Sequence, residues 1–262
     1  MKRGFGLSLL VAAMVFAYTA RAEERCTKIV ATGHPDYPVM AFREGSSIGG
    51  AAPLLVGEIA EKLQIPLESK YMGSWSEAQS ATRAGKADMI IGVYYNEERN
   101  EYLEYVKPPF VYDPVQVFVA NDQPFEFKGH ADLIGKKGIA NEGESFGTTF
   151  DAFLKEKLAV TRVDGLAAAF DVLLSGDADY VIAAYYPATA ELARLGLNDE
   201  IQPLEPQLFS EELFVAFSKK SPCVALSSKF GKGITDLTED GRFRELVRDA
   251  LRKWDAEESF ED

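Results

Sequence analysis

The chain has 262 residues, 47% of them hydrophobic, and carries a formal net charge of −13, with 41 Asp and Glu residues against 28 Lys and Arg residues. This acidic balance argues against nucleic acids and anionic membrane surfaces as partners, because both are themselves negatively charged. The length and the apolar fraction suffice to bury one large core or two modest ones.

Residues 1–22 have the pattern of a secretory signal peptide. Lys2 and Arg3 precede an apolar stretch over 7–17, and a small-x-small cleavage pattern ends at Ala22. A membrane anchor is the alternative, but the apolar stretch is about half of the ~20 residues that a spanning helix needs. We predict cleavage after Ala22, export to the periplasm and a mature chain without a membrane span.

The first half of the mature chain alternates short apolar runs with amphipathic stretches, which is typical of an α/β fold. The predicted strands and helices are strand 28–32, helix 53–63, strand 67–71, helix 74–83 and strand 88–92. Ser74 and Glu77 predict a capping box at the start of the second helix, and Gly85 predicts its end.

The second half repeats this order of elements. The predicted elements are strand 137–140, helix 146–158, strand 160–163, helix 165–174 and strand 179–183. Residues 83–91 and 174–182 share one outline, a helix end followed by Gly, a polar residue, Ala-Asp and a buried strand, in which the Gly supplies the helix C-cap. The repeat predicts two lobes of like construction.

Two apolar stretches, 114–120 and 213–217, bracket the second half, and we predict that they cross between the lobes. The chain would then return to the first lobe and end in a helix from Arg242 to Trp254. This assigns residues 23–116 and 213–262 to lobe 1 and residues 117–212 to lobe 2.

Cys26 and Cys223 are the only cysteines. In an exported protein such a pair predicts a disulfide, which would hold the two ends of the mature chain in one lobe. Two buried free thiols are the alternative. A catalytic cysteine has less support, because neither His34 nor His130 belongs to a motif that pairs it with a thiol.

In this order of elements the chain resembles the family 3 extracellular solute-binding proteins, the periplasmic type that serves polar amino-acid transporters. The most specific stretch is Trp75 with residues 84–99 (AGKADMIIGVYYNEER), which is similar to the family's helix, strand and Thr-x-x-Arg ligand loop. Residues 133–143, 174–179 and 237–243 also fit. The resemblance implies a periplasmic binding protein type II-like fold, with two α/β lobes joined by two crossover strands around a ligand cleft that closes by hinge motion.

The resemblance also implies an anion-binding end of that cleft. Arg99 stands at the arginine position of the ligand loop, with Asn96 in place of the Thr, and a guanidinium matches a carboxylate with two hydrogen bonds. Ser145 falls where the second lobe offers a hydroxyl and backbone N–H groups at a helix N-terminus. The alternatives are a locally paired surface arginine and a plain N-cap.

Aromatic residues are expected around the ligand at Tyr37, Trp75 and Tyr94, where flat apolar walls and a phenol would contact it, unless the first two are ordinary core residues. His34 either faces the cleft and makes binding sensitive to pH, or is a satisfied turn residue. The remaining predicted ligand-binding residues are Gly92, Glu144 and Tyr185.

The family's amino-acid binders pair the ligand ammonium with an acidic residue, and this chain departs from that pattern. Ala184 and His34 occupy the two usual positions. A buried ammonium without a carboxylate partner is costly. The ligand is then a carboxylate without the amine, a modified amino acid or an aromatic-stackable polar solute, unless Asp36, Glu142 or Glu144 supplies the charge.

These observations predict a monomeric periplasmic solute-binding protein, not an enzyme, that delivers a small carboxylate-bearing solute, an amino acid or a related compound, to the permease of an ABC transporter. Two alternatives remain open, a dehydratase-like enzyme on the same scaffold and a ligand sensor for a membrane receptor. No cofactor or metal is expected, because the chain lacks both nucleotide-binding glycine motifs and any metal-ligand spacing.

Overall fold

The computed structural model describes residues 26–258, so the predicted signal peptide lies outside the described residues. The strands are β1 (Ile29–Gly33), β2 (Asp36–Tyr37), β3 (Ala41–Glu44), β4 (Ser47–Gly49), β5 (Leu67–Ser69), β6 (Met89–Tyr94), β7 (Leu103–Tyr105), β8 (Val111–Ala120), β9 (Lys137–Asn141), β10 (Ala159–Val163), β11 (Tyr180–Ala184), β12 (Ile201–Pro203) and β13 (Phe209–Ser218). The helices are α1 (Ala51–Lys62), α2 (Trp75–Ala84), α3 (Glu97–Asn100), α4 (Thr148–Lys157), α5 (Leu166–Leu174), α6 (Tyr185–Arg194), α7 (Ser227–Glu239) and α8 (Arg242–Glu258).

A ten-stranded sheet runs through the described part of the chain, in the order β10-β9-β11-β8-β13-β6-β1-β5, with β12 beside β8 and β7 beside β13. The long strands β8 and β13 pair with each other in antiparallel fashion at its centre. Strand β8 continues to β11 of the second half, and β13 continues to β6 of the first. The predicted crossover strands are therefore confirmed, and each begins earlier than predicted.

The two lobes are built alike on either side of these crossovers. In the first lobe β1 lies between the parallel strands β5 and β6, and in the second lobe β9 lies between β10 and β11. This mixed α/β architecture confirms the expected type II-like fold. The proposed lobe boundaries at 116/117 and 212/213 fall inside β8 and β13 and stay a prediction.

Local sequence signals determine several of the helix ends. Ser74 accepts from the backbone N–H of Glu77, whose side chain accepts in return from the N–H of Ser74, so the predicted capping box is present. Gly85 ends α2 in the left-handed conformation, as predicted.

No helix among the described residues combines the length and the apolar character that crossing a membrane requires.

Several features were not anticipated from the sequence, among them the small sheet of β2, β3 and β4, helix α6 and helix α7. Helix α6 begins at the Tyr185-Tyr-Pro187 segment, and a proline is compatible with the first turn of a helix. Helix α7 contains Gly231 and Gly233, which lower its intrinsic helix propensity. Packing requires Gly231, since a Cβ there would overlap the carbonyl oxygen of Lys107.

The predicted disulfide is confirmed between Cys26 and Cys223, whose Cα atoms are 4.6 Å apart. It joins the segment before β1 to the 3₁₀ turn Pro222–Leu226 that leads into α7. The bond therefore holds the segment before β1 against the part of the chain that returns to the first lobe, as expected from the sequence.

Candidate ligand-binding cleft

The predicted site residues gather where the two lobes meet, at or just beyond the carboxyl ends of β1, β6, β9 and β11. Open α/β sheets bind their ligands at this edge, because loops from several strands converge there. The residues from the first lobe and those from the second lobe are in direct contact, so the structure represents a closed arrangement of the cleft.

Arg99 is 3% exposed, which excludes the alternative of a surface arginine. Asn96 caps the short helix α3 by accepting from the N–H of Arg99. The guanidinium donates from Nε to Gln79 Oε1 at 2.9 Å, from Nη1 to the carbonyl of Tyr94 at 3.1 Å and from Nη2 to the carbonyl of Gly143 at 2.8 Å. These bonds use three of its five N–H donors and leave two for another acceptor.

Gly143 brings the second lobe against helix α2. Its carbonyl accepts from Arg99 and, at 3.1 Å, from Gln79 Nε2. Its φ is +75°, and a Cβ there would lie 2.6 Å from Ser76 Oγ. Only glycine combines this backbone conformation with so close an approach. Gln79 and Gly143 are functional candidates that sequence reasoning missed, because their contact joins segments that are 64 residues apart.

His34 lies in the same interface and faces the cleft. Its Nδ1 accepts from the N–H of Asp36 at 2.9 Å, which assigns the proton to Nε2. Nε2 lies 3.1 Å from Glu144 Oε1 and 3.2 Å from Asn141 Nδ2, both of the second lobe. The imidazole also stacks on Trp75, with ring centroids 4.9 Å apart.

Glu144 reaches from the second lobe into the first, with its side chain 14% exposed. Burial alone would raise its pKa, but the hydrogen bond from His34 and the positive charges of Arg99 and Arg162 outweigh burial and hold the pKa of this carboxyl below its ordinary value. A charged carboxylate therefore contacts the imidazole of His34 and lies within reach of the positive charge of Arg99. The negative charge of Glu144 opposes an anionic ligand at this place.

Trp75 packs against two residues of the candidate site, Arg99 and His34. The Arg99 Cζ atom lies 5.5 Å from the centroid of the Trp75 ring, within the range of a cation–π contact. The indole is buried in a core cluster of the first lobe, and its Nε1 donor has no acceptor among the described residues. Trp75 is thus both a core residue and a neighbour of the candidate ligand arginine.

Tyr37 and Tyr94 form a phenol pair on the first-lobe side. Their hydroxyl oxygens are 2.7 Å apart, and both hydroxyls contact Oδ2 of Asp113, the Tyr94 hydroxyl at 3.1 Å. Burial, and next the negative charge of Asp113, raise the pKa of Tyr37 and of Tyr94, so both phenols stay protonated and can donate.

Asp113 is a site residue that sequence reasoning missed. It lies on crossover strand β8, is 1% exposed, and its Oδ1 atom has no hydrogen-bond donor among the described residues. The predicted strand begins at Pro114, so Asp113 lies just outside it. An aspartate within a strand that is otherwise apolar was the available signal, because charged groups are rarely buried without a role.

Gly92 has a φ of +76° and lies where the register of β6 against β13 shifts between Phe214 and Val215. This is a β-bulge, a feature that redirects the residues after it. The bulge precedes Tyr94 by two residues, so Gly92 helps to orient the end of β6, which carries the phenol of Tyr94.

Ser145 and the start of α4 differ from expectation. The helix begins at Thr148 with Gly147 as N-cap, so Ser145 is not the N-cap residue. Asp151 accepts from the hydroxyl of Ser145 and, at 2.8 Å, from the N–H of Phe146. A carboxylate of the same lobe thus engages the donors that were predicted to face an anion.

Tyr185, at the start of α6, has its ring against Tyr186 and packs on the core of the second lobe.

Two spaces flank the contact between His34 and Glu144. The inner one, about 20 Å³, is lined by Asp36, Tyr37, Tyr94, Asn141, Glu144, Phe146, Leu166, Ile182, Ala183, Ala184 and Pro187. It is about the size of one water molecule, so a solute must enter through an opened cleft. The outer one, about 240 Å³, is lined by Arg99 and Ser145, by three further cations, Arg83, Lys155 and Arg162, and by three acids, Glu98, Glu144 and Asp151. Among the described residues no cluster of His, Cys, Asp or Glu side chains is placed to hold a metal ion.

The two like lobes, the paired crossover strands and the cleft between them define the fold of the type II periplasmic binding proteins. The sequence profile described as "Bacterial extracellular solute-binding proteins, family 3" matches residues 29–253. The chain belongs to this family. A search of the curated proteins finds no match.

Solved structures support the fold assignment. A histidine kinase sensor domain with similarity to periplasmic binding proteins has a TM-score of 0.73 at 23% identity, over 88% of this chain and 96% of that one. A mutant of ArgBP from T. maritima has a TM-score of 0.70 at 24% identity, over 86% and 96% of the two chains. The substrate-binding protein AbpA from Streptococcus pneumoniae, bound to L-arginine, has a TM-score of 0.70 at 21% identity, over 87% and 96%.

Proposed function

We propose that the protein captures a small polar solute with a carboxylate group, an amino acid or a related compound, in the cleft between its lobes. Export through a cleaved signal peptide would place it in the periplasm as a monomer, where it delivers the solute to the permease of an ABC transporter. The observation that carries the proposal is the buried guanidinium of Arg99 at the lobe interface, with two N–H donors left for a ligand.

The ligand carboxylate would bind on the outer side of the cleft, where four cations, Arg99 among them, outnumber the acids by one. The charge-assisted hydrogen bonds of a guanidinium to a carboxylate are stronger than those between neutral groups, and the indole of Trp75 limits the mobility of the arginine. Tyr37 and Tyr94 would contact the body of the solute.

Capture rather than catalysis is supported by the way the titratable groups are used. Glu144 is bound to His34, so the imidazole of the cleft and its acidic neighbour hold each other in a fixed arrangement. A dehydratase-like enzyme needs an acid or base free to exchange a proton with its substrate. We therefore propose that the protein has no catalytic residue.

A ligand sensor is the second candidate, favoured by the likeness to a histidine kinase sensor domain. The cleft would bind its solute in the same way in either role, and the partner chain distinguishes them. Deletion of the gene abolishes uptake of the radiolabelled solute if the role is transport. If the role is sensing, deletion leaves uptake intact and abolishes a transcriptional response to the solute.

Solute capture is tested by a thermal-shift screen of the mature chain against the twenty L-amino acids and their amine-free carboxylates. A ligand that binds the folded state raises the Tm through mass action, by an amount that grows with its concentration. We expect at least one carboxylate to raise the Tm of the wild type and Arg99→Ala to abolish this shift.

The matched control is Arg252→Ala, which removes an arginine whose side chain is 70% exposed on helix α8, with a partner three residues away. This variant should respond to the ligand like the wild type. A response that survives in Arg99→Ala would show that the carboxylate is bound elsewhere, and the absence of any response across the panel would exclude capture of these solutes.

A further inference from the structure

Asp113 is a buried acid on which no cation of the described residues acts. Its neighbours on Oδ2 are the neutral phenols of Tyr37 on β2 and Tyr94 on β6. The charged group that acts on it is also acidic, Glu144 from the loop after β9, and its register partner on β13 is a third acid, Glu211. Taking a carboxylate out of water without a cation is costly, so an acid in this position needs a reason.

Burial raises the pKa of Asp113 to about 6, and the two tyrosine hydrogen bonds limit that increase. The two phenols hold one oxygen, and Oδ1 has no donor among the described residues. An acceptor that is 1% exposed and unpartnered in this part of the chain is available for a donor that a solute brings.

The surroundings indicate which donor fits. The phenols that hold Asp113 line the inner space, together with Asp36 and Glu144, and no Lys or Arg lines it. The outer space beside Arg99 is lined by four cations and by three acids, Glu98, Glu144 and Asp151, so its lining is positive by one formal charge. The inner space is therefore the more negative of the two. A solute with a cationic group at one end and a carboxylate at the other matches this polarity.

We propose that Asp113 is the counter-charge for a cationic group of the solute, an ammonium or a comparable nitrogen cation. This assignment rests on the proposed capture function and specifies its ligand class as zwitterionic. Asp113 would serve from the crossover strand in place of an acid at Ala184 or His34, the two positions that lack one.

The position of Asp113 also implies an order of binding. Asp113, Tyr37 and Tyr94 all precede the crossing into the second lobe, so their contacts persist when the lobes separate. The contacts of Arg99 and Gln79 with Gly143 are made only on closure. The cationic end of the solute therefore binds first, to a preformed acceptor, and closure follows.

The test is titration calorimetry with matched pairs of compounds that differ only in the amine: L-glutamate and glutarate, L-leucine and 4-methylpentanoate, and L-alanine and propanoate. We expect the amino acid of a pair to bind the wild type more tightly than its partner. In Asp113→Asn, which keeps the shape and removes the charge, its affinity should fall at least ~30-fold, the size expected when one partner of a buried charge pair is lost, while the amine-free compound changes less than ~3-fold.

Arg99→Lys separates the two ends of the ligand, because it should weaken both members of a pair alike. Ala184→Asp in the Asp113→Asn background returns a carboxylate to the wall of the same space and should restore part of the preference for the amine, which a folding defect at position 113 would not allow. An unchanged preference in Asp113→Asn overturns the assignment of Asp113 and leaves capture standing. If no compound of any pair binds, the capture function fails and the assignment fails with it.

Discussion

The Nη2 atom of Arg99 in the first lobe donates to the carbonyl oxygen of Gly143 in the second lobe, at 2.8 Å. The residue that the family resemblance assigned to the ligand carboxylate is thus also a closure contact. Gln79 reinforces it, because its oxygen accepts from Arg99 while its nitrogen donates to the same carbonyl. Ligand binding and lobe closure therefore depend on one side chain.

Gly143→Ala should hinder closure. The added Cβ would lie 2.6 Å from Ser76 Oγ and 3.0 Å from Gln79 Nε2, so the lobes would have to stay further apart. We expect ligand affinity to fall at least ~10-fold, roughly the loss of one charge-assisted hydrogen bond, and small-angle scattering to report a larger radius of gyration with ligand present.

Gly135→Ala is the matched control for this change. Gly135 also has a positive φ, +84°, but a Cβ there meets nothing within 4 Å. It should cost about 1–2 kcal/mol of stability through backbone strain and leave affinity and radius of gyration unchanged. Equal affinities for the two variants would contradict the closure role of Gly143.

Glu144→Gln should tighten the binding of amine-free carboxylates. The Glu144 carboxylate lies between His34 and the guanidinium of Arg99, so it competes with and repels an anion there. Removing the charge should improve affinity at least ~5-fold, since like charges at an interface cost several kcal/mol. Glu142→Gln, in the same loop with an exposed side chain, serves as the control in the same calorimetric titration. Weaker binding by Glu144→Gln would show that the carboxylate assists the ligand.

Asp113→Asn should change how stability depends on pH. The folded pKa of Asp113, about 6, is above its ordinary value of 3.8, so the protonated acid favours the folded state and this contribution is lost as pH rises from about 4 to 6. The variant should therefore gain stability relative to the wild type across that window, by on the order of 3 kcal/mol at pH 7. Urea unfolding at several pH values measures the difference, and a gap that does not vary with pH would contradict it.

Removal of the disulfide should destabilise the protein without changing the cleft. Cys26 and Cys223 lie 197 residues apart in the sequence and join the segment before β1 to the turn before α7, and neither of them lines the inner or the outer space of the cleft. Replacing both with Ser should cost about 2–5 kcal/mol and leave ligand affinity within a factor of two. Reduction of the wild type by dithiothreitol gives a second measure, and an unchanged Tm would contradict the prediction.

The elements that the sequence predicts well are those whose causes are local. The capping box of Ser74 and Glu77 and the short buried runs of β6 and β9 can be seen within a few residues. The start of α4 was misjudged, because the side chain of Asp151 turns back to Ser145 and Phe146 and holds them outside the helix.

The candidate site was predicted where family resemblance supplied positions, and missed where tertiary contacts determine it. The partners of Asp113 are Tyr94, 19 residues away, and Tyr37, 76 residues away. No periodicity connects residues at such separations. The contact of Gly143 with Gln79 is hidden for the same reason, and it becomes visible only when both lobes are assembled.

The most direct test of ligand capture at Arg99 uses Trp75 as a reporter. The chain has two tryptophans, and Trp254→Phe leaves Trp75 as the sole one, with the Arg99 Cζ atom 5.5 Å from its ring centroid. Titrating this variant with the solute that raises the Tm should give a saturable 1:1 change in tryptophan emission, which Arg99→Ala abolishes. Emission that stays constant while the Tm rises would place the ligand outside the cleft and contradict the account.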